Sequence, residues 1–327
     1  MKGRRQVTIA SVGNIDDKGS WGTAMSRRTT SEPIRVGRET VEITRPDKVL
    51  FPKDGITKRE LVEYYRRVAP VMLPHLSGRP ISMERYPDGI QSQGFFQKKA
   101  AFYYPRWIKT VSVRKQNGSV RHVICDDAAT LVYLANQAVI TPHTWLSHAD
   151  RPDDPDQLIF DLDPPDGDFR GACAAAKGLR ALLGERKLAA YVKSTGSRGL
   201  HVLVPLKGGA GFDEVRAFAR EVAAQLVRSA PERLTTDIRK TNRRGRIFVD
   251  TGRNAYAQTA VAPYAVRPLD GAPVAAPLEW DELDDPKLDA GRFNIRNVLD
   301  RLDATGDPWK DLKRHAQRSG RHTILST

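Results

Sequence analysis

Hydrophobic and polar positions change period several times along this chain, and each change marks an element. Between Leu158 and Asp163 an apolar run is broken by two acids two residues apart, so a strand here turns both carboxylates to one face. The runs 189–193, 200–206 and 247–250 read as further strands, and helical periodicity over 169–185 and 212–228 places helices between them. Upstream, Thr57-Lys58-Arg59-Glu60 forms a capping box ahead of Leu61, Tyr64, Tyr65 and Val68, which predicts a helix over 58–73. An extended segment over 36–43, a strand over 81–86, an aromatic strand-like stretch over 102–113 and a helix capped by Asp126 or Asp127 complete an α+β first half. After the last strand come the segment 259–267, an acidic loop around Trp280 and an amphipathic helix over 293–302.

Punctuation divides the pattern. Residues 1–33 are polar, basic and rich in Gly, Ser and Thr, a composition of a flexible arm, and Met25 offers a second start within it. The acidic, Pro-broken stretch from His148 to Asp156 separates a module over 34–150 from a catalytic module over 151–275. Residues 276–327 read as an extension packing on the core and ending in a basic tail.

Composition narrows the class. The chain has 327 residues, long enough for two modules with sizeable cores, and its 53 Lys and Arg against 39 Asp and Glu leave a formal charge of +14. Such an excess favours nucleic acid or a phosphorylated ligand over an acidic protein. Cys125 and Cys173 have no metal-type spacing, which excludes a disulfide framework and a cysteine zinc site. No spanning apolar run or secretory signal is present, so the expectation is a cytoplasmic, nucleoid-associated protein with no membrane partner.

The chemistry-bearing residues gather in the second module. Asp161 and Asp163 side by side repel unless a divalent cation lies between them, the layout of a phosphoryl- or nucleotidyl-transfer site; a strand entering an Asp-Pro turn would read the same way. Ser194-Thr195-Gly196-Ser197-Arg198-Gly199-Leu200-His201 joins two strands through a turn with glycines, hydroxyls and a guanidinium, suited to phosphate, although a plain Gly-Ser hairpin also fits and leaves His201 unexplained. Asp250 ends another strand, where a turn-forming role competes with cation binding. In the first module, lysines flank aromatics at Lys48, Lys53 and Lys58 around Phe51, and at Phe95-Phe96-Gln97-Lys98-Lys99, a pairing used to bind nucleic-acid ends. Taken locally, Phe95 and Phe96 read as core residues and His143 as a core histidine.

Together these motifs resemble the polymerase domain of bacterial ligase D, of the archaeo-eukaryotic primase superfamily. The likeness runs from Thr40 to Arg267 through 47–52, 95–98, 160–164, 194–201, Val249-Asp250 and Ala262-Pro263-Tyr264, with a weaker match at 280–283. It implies an N-terminal α/β module packed on an RNA-recognition-type antiparallel catalytic sheet, and template-directed nucleotide addition to primer 3′ ends with ribonucleotides often preferred. It further implies Asp161, Asp163 and Asp250 as ligands of two Mn²⁺ or Mg²⁺ ions. Thr195, Ser197, Arg198 and His201 would bind the incoming NTP or dNTP, with His143 and Arg267 beside its sugar or phosphates. Lys48 and Lys58 would grip a downstream 5′-phosphate of gapped or broken DNA, and Phe95 and Phe96 would stack on the template. Candidate partners are a DNA-end-binding ring protein and a separate DNA ligase. Arg198 stands where many relatives carry Lys, exchanging a point charge for a forked donor. No ligase lysine motif or phosphoesterase region is present, so the expectation is a stand-alone enzyme for end joining or excision repair. A non-catalytic 5′-phosphate end-binding and bridging module is the alternative, and a metal-dependent nuclease would leave the 194–198 turn without a nucleotide to hold.

Overall fold

The computed structural model describes residues 31–115 and 118–316, so most of the expected N-terminal arm and the end of the basic tail lie outside the described residues. The arm stops earlier than expected, because 31–33 already belong to strand Ser31–Val36, which pairs with Glu39–Thr44.

Two antiparallel sheets organise the chain. In the first, Thr259–Val261, Val139–Trp145, Pro80–Arg85, Gly118–Ile124 and Thr110–Lys115 lie side by side, with Phe95–Gln97 added to Pro80–Arg85. Helices Lys58–Leu76 and Ala128–Asn136 bury Leu61, Val68, Met72, Leu131 and Leu134 in its core. The Thr57–Glu60 capping box is present as expected, and Asp127 rather than Asp126 caps the second helix. Asp126 instead accepts from Gly78 N–H. The aromatic stretch after residue 101 is irregular until Thr110, since its rings pack on one another edge to face instead of alternating across a sheet.

The second sheet has the order Leu234–Thr235, Ile247–Asp250, Gln157–Asp163, Leu200–Pro205, Tyr191–Ser194, Pro277–Leu278, antiparallel except for its first pair. With helices Phe169–Glu185 and Phe212–Ser229 it forms a βαββαβ unit whose four main strands lie in the order fourth, first, third, second. This is the RNA-recognition-type arrangement expected of the primase fold. Alternation sorts its faces: Leu158, Phe160, Leu162, Val202, Val204 and Val249 meet Leu179, Val215, Phe218 and Val222 of the helices. Ile159 and Leu203 point the other way, into a cluster with Leu146, Ala260 and Trp309 that joins the sheets. Asp161, one step further along the face of Ile159, therefore opens between the sheets.

The segment 259–276, expected within the catalytic module, packs elsewhere. Thr259–Val261 pairs with Val139–Trp145, and Ala262, Tyr264, Val266 and Val274 join the first core. Tyr64 donates to Tyr264 O at 2.8 Å and Thr141 to Val266 O at 2.6 Å, so this return strap carries Arg267 from one core toward the other sheet. The expected helix over 293–302 begins only at Val298, where Val298–Thr305 starts after a turn through Asn294 and Asn297.

Candidate active site

Strand pairing sets four side chains in one row across the second sheet. Lys193 lies opposite His201, His201 opposite Asp161, and Asp161 opposite Asp250. Asp163 is two residues along the same face, opposite Phe248. All three expected acids thus share one face of adjacent strands.

Their environments differ. Asp161 is buried; His201 Nε2 lies 3.4 Å from Oδ1 and Arg253 Nε 3.3 Å from Oδ2. Burial opposes its ionisation, but His201 and the Arg253 guanidinium outweigh that, and the carboxyl stays well below the usual carboxylate range. Burial and the charge of Lys193 push His201 down to about 4, which makes it a neutral donor to Asp161 at neutral pH. Asp163 moves upward, because burial and the charges of Asp161 and Asp250 are only partly offset by Arg198 and Arg243. Asp250 accepts from Gly252 N–H at 2.7 Å, and buried Asn254 exchanges two hydrogen bonds with Ile159, pinning the 250–254 loop to the central strand.

The phosphate-type turn is shaped from inside. Thr195 Oγ1 accepts from Gly199 N–H at 3.1 Å and from Arg198 N–H at 3.4 Å, and lies 3.0 Å from Ser197 Oγ. Buried Thr195 therefore holds the turn, while Ser197 and exposed Arg198 reach its surface. Gly199 is required by close approach, since a Cβ there would fall 1.9 Å from Leu162 O; Gly196 has φ +66° and lies against Arg267 and the Val274 backbone. Arg267 donates to Thr195 O at 3.4 Å. His143 lies 3.2 Å from Glu84 Oε2, and the charges of Glu84 and Asp161 both act on Arg267. His143, Arg267 and the turn are thus brought close together.

A second group forms on the first module. Lys58 is buried and donates to Thr44 O at 2.6 Å; burial, then Arg45, Lys48 and Arg85, lower it to about 8. Lys48 pairs with Asp88 at 2.6 Å. Arg85 lies 5.5 Å from the Phe95 ring, linking this cationic group to the aromatic loop. Phe95 and Phe96 are 47% and 59% exposed, which corrects the local reading of both as core. The Phe96 ring meets His143 edge to face at 5.2 Å, so the loop adjoins the group around His143.

Sequence reading passed over Lys193, Arg253, Arg243 and Glu84, and the pair Arg45 and Arg85. Lys193 carried a readable signal, a lysine alternating with Val192 in an apolar strand. The arginines come from loops and strand ends whose reach only the fold determines.

Whether a divalent cation suits the acids can be judged from their charges. Like-charge crowding that raises Asp163 is relieved by a cation, and the acids are oxygen donors of the kind Mg²⁺ and Mn²⁺ take. Among the described residues no group of three or more His, Cys, Asp or Glu side chains is placed to hold a metal ion by itself. The coordination would be completed by substrate phosphates, as is usual for Mg²⁺ at such sites. Toward the other end of the row, Lys193 Nζ, His201 Nδ1 and Arg267 Nε are buried without hydrogen-bond partners. Acids at one end and the unmet cationic donors of Lys193 and Arg267 at the other suit a phosphorylated ligand bridging them, while Nδ1 of neutral His201, whose proton sits on Nε2, is an acceptor.

Comparison with known proteins bears on the family and the fold. The family described as LigD, primase-polymerase domain, matches residues 57–309. A multifunctional non-homologous end joining protein LigD of Mycolicibacterium smegmatis is 39% identical over 277 residues, covering 82% of this chain and 35% of that protein. The bifunctional non-homologous end joining protein LigD of Bacillus subtilis is 32% identical over 287 residues, covering 87% and 46%. The chain thus spans less than half the length of these relatives. The polymerase domain of Mycobacterium tuberculosis ligase D, solved in complex with DNA, superposes with a TM-score of 0.79 at 33% identity, covering 84% of this chain and 99% of that one. Among the described residues no helix is long and apolar enough to cross a membrane.

Proposed function

The chain belongs to the LigD primase-polymerase domain family, which are nucleotidyltransferases, and on that premise we propose that it is a DNA repair polymerase extending primer 3′ ends across short gaps. The observation that carries this reading is the row Lys193, His201, Asp161, Asp250, with Asp163 beside it: carboxylates in line with a buried amine that lacks a partner. In the reaction the primer 3′-hydroxyl attacks the α-phosphate of the nucleotide and pyrophosphate leaves. Asp161, Asp163 and Asp250 would hold one or two Mn²⁺ or Mg²⁺ ions, which supply Lewis acidity toward the phosphates and lower the pKa of the attacking hydroxyl. His201 and Arg253 keep Asp161 oriented and ionised. Ser197, Arg198 and Arg267 receive the polyphosphate, Thr195 keeps the turn in shape, and His143 lies by the sugar.

Lys48 and Lys58, with Arg45 and Arg85, would bind a downstream 5′-phosphate, and Phe95 and Phe96 would stack on the template. This arrangement suits end joining or excision repair at the nucleoid, in company with an end-binding ring protein and a ligase. Preference for ribonucleotides rests on the family likeness.

The test is extension of a labelled primer across a short gap, with and without a downstream 5′-phosphate, comparing rNTP and dNTP in Mn²⁺ and Mg²⁺. Incorporation stimulated by the phosphate supports the reading. The cationic group on the first module also favours a second one, pure end binding. Tight phosphate-dependent binding without incorporation in any metal would select it.

A further inference from the structure

Lys193 occupies a place where a lysine is costly. It lies in strand Tyr191–Ser194 between His201 on one side and Pro277 on the other, is 1% exposed, and its Nζ has no hydrogen-bond partner. Tyr191, the preceding residue on its face, packs against the apolar cluster around Trp309. The acid whose charge it feels is Asp161, two strands away across the row, and both oxygens of Asp161 are engaged by His201 and Arg253. The other charges acting there, Arg267 and Arg253, are cationic. Burial and Arg267 accordingly push the amine down to about 7.

A buried amine with no acceptor weakens the fold, and a Val or Met would satisfy the strand position without that cost. Residues that weaken a fold in this way cluster where a ligand brings the missing charge. A deficit remains: Lys193, Arg253 and Arg267 share Asp161, with Glu84 acting on Arg267 as well, and Lys193 Nζ and Arg267 Nε are left without partners. A single phosphodiester would not meet it, and a duplex backbone has no access to a side chain only 1% exposed between His201 and Pro277. A polyphosphate seated on the 194–199 turn would.

We propose that Lys193 is a positioning residue for the incoming nucleotide, supplying positive charge from the strand leading into the turn that draws the triphosphate onto Arg267 and Ser197. The inference rests on the polymerase reading and deepens it.

The test compares the wild-type chain with Lys193→Met, which keeps length and removes charge. Binding of a non-hydrolysable α,β-methylene nucleoside triphosphate to the complex with gapped DNA is measured in Mn²⁺, together with affinity for the gapped DNA, the thermal midpoint without nucleotide, and KM and kcat for incorporation. The expected result is triphosphate affinity lowered tenfold or more, KM raised more than kcat is lowered, DNA affinity unchanged, and a thermal midpoint no lower than wild type. Unchanged triphosphate affinity and KM in Lys193→Met would overturn the inference and leave the polymerase reading standing. A fall in triphosphate and DNA affinity by the same factor would overturn it as well, since the lysine would then be holding the fold. A wild-type protein that binds no triphosphate would remove both.

Discussion

His201 and Asp161 face each other across adjacent antiparallel strands, Nε2 3.4 Å from Oδ1, with neither side chain open to solvent. Because burial and Lys193 keep the imidazole neutral near pH 7, the pair is a hydrogen bond to an ionised carboxylate. Such a pair orients one carboxylate lone pair and leaves the rest for another ligand.

Asp161→Asn keeps an acceptor for His201 and removes the charge. Incorporation is expected to fall by on the order of a hundredfold to a thousandfold, as when a preorganised electrostatic contact to a transition state is lost, with gapped-DNA binding nearly unchanged. Because His201 acts through Asp161, the double variant Asp161→Asn/His201→Ala should lose little more than Asp161→Asn alone. A double-mutant cycle on single-turnover rates decides it, and additive losses would show that His201 acts independently.

Lys58 gives a prediction in pH. Its amine titrates near 8 in the free protein, below the usual 10.5, because burial and then Arg45, Lys48 and Arg85 disfavour the charge. Binding a phosphate requires the ammonium. Below pH 8 the charge is present and affinity for a 5′-phosphate should be flat; above it binding must take up a proton, and affinity should fall by up to about tenfold per pH unit. The terminal phosphate is already largely a dianion above pH 7, so it adds no step of its own. Comparing gapped DNA with and without the 5′-phosphate from pH 7 to 9.5 isolates the term. Lys58→Met should abolish this pH dependence, and a phosphate effect that persists unchanged to pH 9.5 would assign the phosphate elsewhere.

Phe96 is 59% exposed and touches His143, so its removal should barely disturb folding. Stacking on a base is worth about 1–3 kcal/mol, and Phe96→Ala should therefore weaken gapped-DNA binding roughly tenfold, with the thermal midpoint unchanged. Equal affinity of the variant for gapped DNA would mean that the exposed ring serves another surface.

Much of this site was legible before any coordinates, and the reason is periodicity. In a strand, side-chain direction follows from parity, so Asp161 and Asp163 could be assigned to one face from spacing alone. The capping box at Thr57 and the βαββαβ order were equally local or sequential. Register was not legible: that Asp250, His201 and Lys193 align with Asp161 depends on pairings between strands up to ninety residues apart. The return of 259–276 to the first core also lay beyond local pattern, because short apolar segments carry no mark of which sheet they join. Phe95 and Phe96 misled the local reading for a related reason. Aromatic pairs in cores and on nucleic-acid surfaces look alike in sequence, and only their exposure separates them.

Asn254 shows how closely folding and site geometry are joined. Its side chain accepts from Ile159 N–H at 2.8 Å, donates to Ile159 O at 2.7 Å and to Thr251 O at 3.0 Å, and is wholly buried. It ties the loop bearing Asp250 and Arg253 to the strand bearing Asp161. Asn254→Ala would leave the Ile159 amide and carbonyl buried and unmet, a loss of about 2–5 kcal/mol by the usual cost of orphaned backbone groups. Asn254→Asp keeps one acceptor for Ile159 N–H, but it cannot donate to Ile159 O and adds a buried charge, so it should be at least as damaging. Both variants should melt several degrees lower. Assayed well below that midpoint, both should also incorporate nucleotide more slowly, because Asp250 and Arg253 lose their fixed distance from Asp161. Full activity in cold, folded Asn254→Ala would show that Asp250 is positioned by its own strand pairing and not by this loop.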